Sequence, residues 1–350
     1  MLKRIVRGNC ITSVILLLFA FLIFSCAGNP AARSVPAWVN SVEAVYPRAQ
    51  YVAATGYAST RSAAENNALA ALVSYFGQTV DVETNAISMY QQAVASGVAD
   101  VWINTAEMRN EIRTSAAMDN IMGVEIREVW FDSRDTYYAV AVMEKNRAAR
   151  IYSDLVSANQ SIITNLINMS PGIENSLDGV VRYRLAAVVA DMNIYYRNIL
   201  RLLDAPAADT MTAGSYYRME AQNIISTIPI NIRVADDRNG RIYGAFARCF
   251  ADWGFDASSV NARYVLNVNA ALNQVNLANN QNYFSRIEIS ATLTDTAAGT
   301  VLLPYNFNTR EGHTSLIDAE NRAITMAERD IIEEFGSMLS GYLNSLSPVN

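Results

Sequence analysis

The apolar run from Val14 to Phe24 constrains this chain more than any other stretch, because it decides where folding begins and in which compartment. Lys3, Arg4 and Arg7 give it a basic start, and Ser25-Cys26 closes it with a small residue before a cysteine. A helix that spans a bilayer needs about 20 apolar residues, so this run is too short to be a stable anchor and has the order of an export signal. Residues 1–25 therefore drop out of the fold. Everything after them is expected to work in the cell envelope. No later stretch reaches the ~18 uninterrupted apolar residues of a second span.

Leu22-Ile23-Phe24-Ser25-Cys26 resembles the lipobox of bacterial lipoproteins, and Phe24 gives it the relaxed form seen in spirochaetes. The resemblance implies cleavage before Cys26, whose sulfur would carry a diacylglycerol and whose amine would be acylated. Ala27, Gly28 and the turn-forming run Asn29 to Pro36 suit a tether behind such a terminus. One acyl chain binds a membrane only marginally, whereas about three chains at roughly 0.8 kcal/mol per methylene hold firmly. Ala27 is not the aspartate that keeps proteobacterial lipoproteins at the inner membrane. An outer-membrane attachment facing the periplasm is expected, with surface exposure the alternative.

Charge and cysteine content exclude several classes. Losing Lys3, Arg4 and Arg7 with the leader takes the side-chain charge from −6 to −9, which repels nucleic acid and anionic lipid, so the lipid must supply attachment. Of the three cysteines, Cys10 leaves with the leader and Cys26 is acylated, so Cys249 has no partner for a disulfide. Its apolar setting, Ala245 to Phe250, predicts a buried, inert thiol.

The folded part is read as α+β: two small mixed units connected by a long antiparallel helical hairpin. The expected divisions are a tether at 26–36, a first α+β domain at 37–145, the hairpin at 146–204, and a second α+β domain at 210–350 with a long C-terminal helix. In the first, Tyr51 to Ala58 reads as a strand and Ala64, Ala68, Leu72 and Phe76 as one face of a helix stopped by Gly77. Thr79 to Thr84 alternates like a half-exposed strand, and Asp100 to Met118 leans weakly to strand. Val124–Trp130 and Tyr137–Val142 flank the turn Asp132-Ser133-Arg134-Asp135 as a hairpin.

The order Pro36-x-Trp38-Val39, a strand ending in glycine, an alanine-rich helix, Gly123-Val124-Glu125-Ile126 with Trp130, and Tyr137-Tyr138-Ala139-Val140-Ala141 resembles the LPP-twenty lipoprotein family over about residues 35–145. That family includes flagellar envelope proteins of the FlgP and FlgT kind. The resemblance implies a small α+β domain without known catalysis, sometimes built into rings around a flagellar motor. It brings no catalytic residue.

Helical stripes follow at Ile151, Leu155, Ile162, Leu166 and at Leu177, Val181, Leu185, Val188, Met192, Ile199, broken by Pro171-Gly172. They are expected to bury each other, with a projecting, partner-binding arm as the alternative. Beyond the linker Asp204 to Asp209 come a helix, a strand Ile230–Val234, a turn Asp236–Gly240, a helix Ile242–Trp253, alternating strands at 264–269, 287–293 and 301–305, and a terminal helix striped by Ile317, Ile324, Ile331, Phe335 and Met338. This order is similar to the periplasmic domains of curli-assembly CsgG and of penicillin-binding-protein activator lipoproteins.

Chemistry is sparse. His313 is the only histidine and reads as a solvated loop residue before a helix. Asp236-Asp237-Arg238-Asn239-Gly240 mimics a calcium loop, but Ala235 and Phe246 occupy the first and closing ligand positions. Asp330, Glu333 and Glu334 read as a solvated helix face. No phosphate loop or paired-cysteine spacing occurs, and no cofactor or metal is expected. Two carboxylates distant in sequence leave no signature, so a weak cell-wall hydrolase stays open.

The function expected is a non-catalytic scaffold, assembly or regulatory lipoprotein, with a peptidoglycan- or ligand-binding module as the rival. Its partners would be a membrane through the acyl chains on Cys26, envelope proteins (a flagellar structure or copies of itself among them), and, on the rival reading, peptidoglycan. Nucleic acid is not among them.

Overall fold

The computed structural model describes residues 34–77, 90, 121–132, 134–208, 210–278 and 280–346. Cys26, the strand expected at Thr79 to Thr84 and the ambiguous segment 100–118 lie outside the described residues. The fold is α+β, with a three-stranded and a four-stranded sheet. The chain forms two compact units, one of residues up to Leu72 together with Val124–Met143, the other of the rest.

In the first unit a short helix, α1 (Ala37–Asn40), and a 3-10 turn (Val42–Ala44) lead to β1 (Tyr51–Ala58) and α2 (Arg61–Gly77). β2 (Val124–Asp132) and β3 (Thr136–Glu144) complete a sheet of order β1-β3-β2. Asp135 takes a φ of 64° in the tight turn between β2 and β3, a conformation aspartate tolerates better than most residues. Ala64 and Ala68 of α2 are fully buried, and the helix backbone sits directly on Gly56: a Cβ there would stand 2.2 Å from the Ala68 nitrogen. The glycine is thus a packing requirement, since any side chain would push the helix off the strand.

In the second unit α3 (Lys145–Ile167), the short α4 (Pro171–Glu174) and α5 (Leu177–Leu202) form the hairpin. Its antiparallel sense shows in two cross-links, one at its open end and one midway: Lys145 Nζ meets Asp204 at 2.8 Å, and Asn193 Nδ2 donates to the Val156 carbonyl. The two stripes bury each other as expected. The hairpin also packs: Leu177, Val180 and Val181 belong to the core of the four-stranded sheet, and α5 is covered by α6 (Gly214–Thr227) as well as by α3. That double cover explains why Ala186, Ala187, Val189 and Ala190 are buried beyond the narrow stripe. Met122 and Tyr90 are tied to the hairpin, the former by its N–H to the Tyr152 hydroxyl at 2.8 Å, the latter by its hydroxyl to Asn159 at 2.9 Å.

β4 (Ile230–Ala235), α7 (Arg241–Ala251), β5 (Tyr264–Val275), β6 (Tyr283–Asp295) and β7 (Thr300–His313) follow. The sheet order is β4-β5-β6-β7, with β4 parallel to β5 and the other neighbours antiparallel. α8 (Leu316–Asp330), a π-helical turn (Ile331–Phe335) and α9 (Gly336–Ser345) follow without a break. Leu266, Ile289 and Leu293 meet Phe246, Ala327 and Phe335 in the core, while the opposite face carries Asn267, Asn269, Ser290 and Asn306 exposed. Period-2 alternation explains this one-sided sheet.

Candidate functional site

The strongest local construction in the first unit joins its N-terminal segment to the sheet. Trp38 is buried, and its indole Nε1–H donates to Glu128 Oε2 at 2.9 Å. The Tyr46 hydroxyl donates to the other carboxylate oxygen, Oε1, at 2.7 Å. One side chain of β2 thereby holds a strap, Pro36 to Tyr46, over the sheet, where it packs with Val140 and Val142. Burial, then the Glu128 carboxylate, pushes the Tyr46 hydroxyl's pKa up, so the phenol stays a donor.

Glu128 reaches this face because β2 is bulged at Arg127: Ile126 pairs with Ala141, but Glu128 already pairs with Val140. An unbroken alternation would place Val124, Ile126, Glu128 and Trp130 on one face. The extra residue moves Glu128 and Trp130 to the strap side. On the same face Trp130 and Tyr138 pack against the strap's core and lead into an aromatic row. Trp130 and Tyr138 rings lie 5.5 Å apart, and Tyr138 and Tyr57 6.2 Å apart, with Tyr57 70% exposed.

The residues weighed for chemistry are placed apart. His313 ends β7, opposite Tyr283, and its Nδ1 lies 3.2 Å from Asp318 Oδ2. It is a strand terminus and not a loop residue, because β7 runs on well beyond the alternation at 301–305. Cys249 is buried; its thiol is directed at the Ala245 and Ile331 carbonyls, and burial raises its pKa to about 11. Asp237 does not form a cation loop but caps α7, accepting from the Ile242 and Tyr243 N–H groups. Asp330 corrects the solvated-face expectation, since it accepts a 2.6 Å hydrogen bond from Tyr305, while Glu333 and Glu334 are exposed as expected. Among the described residues no group of three His, Cys, Asp or Glu could hold a metal ion. The open cleft of about 440 Å³ on the outer sheet face is lined by one carboxylate, Glu288, beside Asn269, Ser290, Asn306 and Asn308.

No protein-family model matches the chain, and no curated protein matches it. Among solved structures it is similar to a secreted protein of Helicobacter pylori, at 14% identity over 81% of this chain and 98% of that one, with a TM-score of 0.41. It is also similar to a minor lipoprotein of Acinetobacter baumannii (14% identity, 33% of this chain and 90% of that one, TM-score 0.24). A lipoprotein of Neisseria meningitidis is similar at 12% identity over 30% of this chain and 94% of its own, with a TM-score of 0.19. Overlays this loose carry no argument about role.

Among the described residues no helix is long and apolar enough to cross a membrane. The Glu128 clamp itself was missed from sequence. Trp38 and Tyr46 were visible as aromatics in a proline-bearing segment, but nothing local points to an acceptor some ninety residues on.

Proposed function

We propose that this chain is a lipid-anchored envelope lipoprotein, held at the outer membrane by Cys26 and acting in the periplasm as a non-catalytic scaffold, assembly or regulatory partner. The observation that carries it is the Glu128 clamp on Trp38 and Tyr46. A tether from an acylated Cys26 would enter the folded chain at this strap, which Glu128 fastens to the sheet. The export-signal pattern at Val14 to Cys26 and the LPP-twenty resemblance over about 35–145 support the same reading. Replacing Cys26 with serine tests it: the protein should leave the membrane fraction, and retention there would refute the anchor.

A second reading, binding of peptidoglycan glycan chains, draws on the outer face of the four-stranded sheet. Asn269, Asn306 and Asn308 present exposed amides around an open cleft, the donor and acceptor mix that hydroxyl-rich sugars satisfy. Co-sedimentation with purified sacculi that is lost on Asn269→Ala with Asn306→Ala would favour it over the scaffold. Co-sedimentation unaffected by those substitutions would count against it.

A further inference from the structure

The outer face of the four-stranded sheet runs against the charge of the chain. The whole sequence carries −6, yet the charged residues that β4 to β7 turn outward are Arg233, Arg286, Arg310 and one carboxylate, Glu288. Arg286 and Arg310 are direct cross-strand partners. Pro304 fixes how close they come. It has no N–H to give to β6, so its pair with Thr292 is of the non-hydrogen-bonded kind, and every second pair along an antiparallel ladder is of the same kind. Arg286 and Arg310 therefore form such a pair too, the geometry that brings side chains nearest, with Cβ atoms about 5 Å apart. Like charges placed there oppose the sheet.

Neither arginine clamps the fold. Elsewhere in this unit Arg263 lays its guanidinium on Asp295 and Arg241 lays its own on Glu328, each through two nitrogens. Arg310 holds no carboxylate among the described residues; its guanidinium stands 5.8 Å from the centre of the Phe284 ring, which lies against Gly312. Arg286 approaches Glu288 only to 3.8 Å, where that carboxylate already accepts from Asn308 at 3.3 Å, and the Arg286 Nε is buried without a hydrogen-bond partner. The two heads lean apart, one toward Glu288 and one toward Phe284. Guanidinium forks bind carboxylates and phosphates. The neighbourhood decides between these, because one step along the strands, roughly 7 Å away, Glu288 and Asn308 line the cleft of about 440 Å³ with Asn269, Ser290 and Asn306. Its outward side chains are amides, a hydroxyl and one carboxylate beside a single alanine, a surface that suits sugar hydroxyls and gives acyl chains no seat.

We propose that Arg286 and Arg310 form the anion subsite of a glycan-binding face, taking a carboxylate carried by peptidoglycan while the cleft at Asn269 and Asn306 takes the neutral sugar beside it. The inference rests on the glycan reading of this face and names the charge its ligand must carry. It also accounts for the like-charge pair, since an anion between the two guanidinia turns a repulsive contact into a bridged one. Asn273, opposite Arg286 on β5, adds a neutral amide at the same level.

The test is co-sedimentation of the full-length protein, held in detergent, with purified sacculi. The parent should bind native sacculi about ten-fold more tightly than sacculi whose carboxylates have been amidated, the loss of one charge-assisted contact. Arg310→Gln should bind native sacculi only as the parent binds amidated ones, and Arg310→Lys should keep part of the difference. Without sacculi, Arg310→Gln should melt no lower than the parent, because it removes a like-charge contact; a lower melting temperature would show the arginine holding the fold and overturn the assignment. Equal binding by parent and Arg310→Gln, or equal binding of native and amidated sacculi by the parent, overturns the carboxylate subsite, also where inorganic phosphate releases the protein. If such binding is still lost in Asn269→Ala with Asn306→Ala, the glycan reading stands without the subsite. A parent that pellets with neither preparation overturns the glycan reading itself.

Discussion

Trp38 and Glu128 are joined by a 2.9 Å indole-to-carboxylate hydrogen bond across 90 positions of sequence, and the same carboxylate holds Tyr46 at 2.7 Å. The carboxylate is a charged acceptor for two donors, so it is worth more than an ordinary pair. Glu128→Ala should destabilise the first unit by about 2 kcal/mol, since hydrogen bonds to charged groups contribute roughly 1.5–3 kcal/mol and this one is partly solvated. Denaturant unfolding measures the loss. Limited proteolysis should cut the variant between Pro36 and Tyr46 first; unchanged stability and protection would mean the strap is held by apolar packing alone.

Gly56 lies under the backbone of α2, with Ala64 O 2.5 Å and Ala68 N 2.2 Å from an added Cβ. Neither contact is a movable side chain. Gly56→Ala should cost about 3 kcal/mol, at the upper end of overpacking effects. Gly172, where a Cβ meets nothing within 4 Å, is the control, and its alanine variant should stay within about 0.5 kcal/mol of the parent.

Asp237 caps α7 through the Ile242 and Tyr243 N–H groups. Removing a side-chain cap costs about 1 kcal/mol, so Asp237→Ala should lower the melting temperature modestly and Asp237→Asn less. Calcium added to the parent should leave its melting temperature unchanged. A calcium-dependent rise abolished by Asp237→Ala would restore the cation-loop reading that Ala235 and Phe246 argue against.

Alkaline pH should weaken the fold, and the sign follows from three buried acids. The Cys249 thiol is raised from 9.0 to about 11, chiefly by burial. Tyr305 is raised by burial and by the Asp330 carboxylate it donates to, and Tyr46 by burial and Glu128. Between its unfolded and folded values each group holds more protons in the native state, so unfolding free energy falls as pH rises. Stability should decline from about pH 9 upward, more gently in Tyr305→Phe. At pH 8 an alkylating reagent should label Cys249 only after denaturant is added; labelling of the native protein would contradict its burial.

Local periodicity carried much of this fold. The β2–β3 hairpin was legible from its alternation and its Asp-rich turn, and the two hairpin helices from their stripes. What stayed hidden depends on a partner distant in sequence. The bulge at Arg127 exists only relative to β3, so Glu128 could not be placed opposite Ile126's face from its own strand. β7 extends to His313 because β6 offers a ladder that long, although Pro304 and the polar residues around it break the simple pattern. Asp330 looked like a solvated face because its partner, Tyr305, comes from another strand. The π-helical turn at Ile331–Phe335, where the Cys249 thiol points at the Ile331 carbonyl, has no signature in the helix's own residues. Of the candidate site, the Glu128 clamp was not legible, because its donors Trp38 and Tyr46 stand 90 and 82 positions away.

The central claim is that the chain is tied to a membrane through Cys26, and the mass of the N-terminal peptide from protein made in its native host tests it most directly. The account predicts a mature chain beginning at Cys26, with the mass of a diacylglycerol on its sulfur and a fatty acyl group on its amine. A chain retaining residues 1–25, or one beginning at an unmodified Cys26, would contradict it.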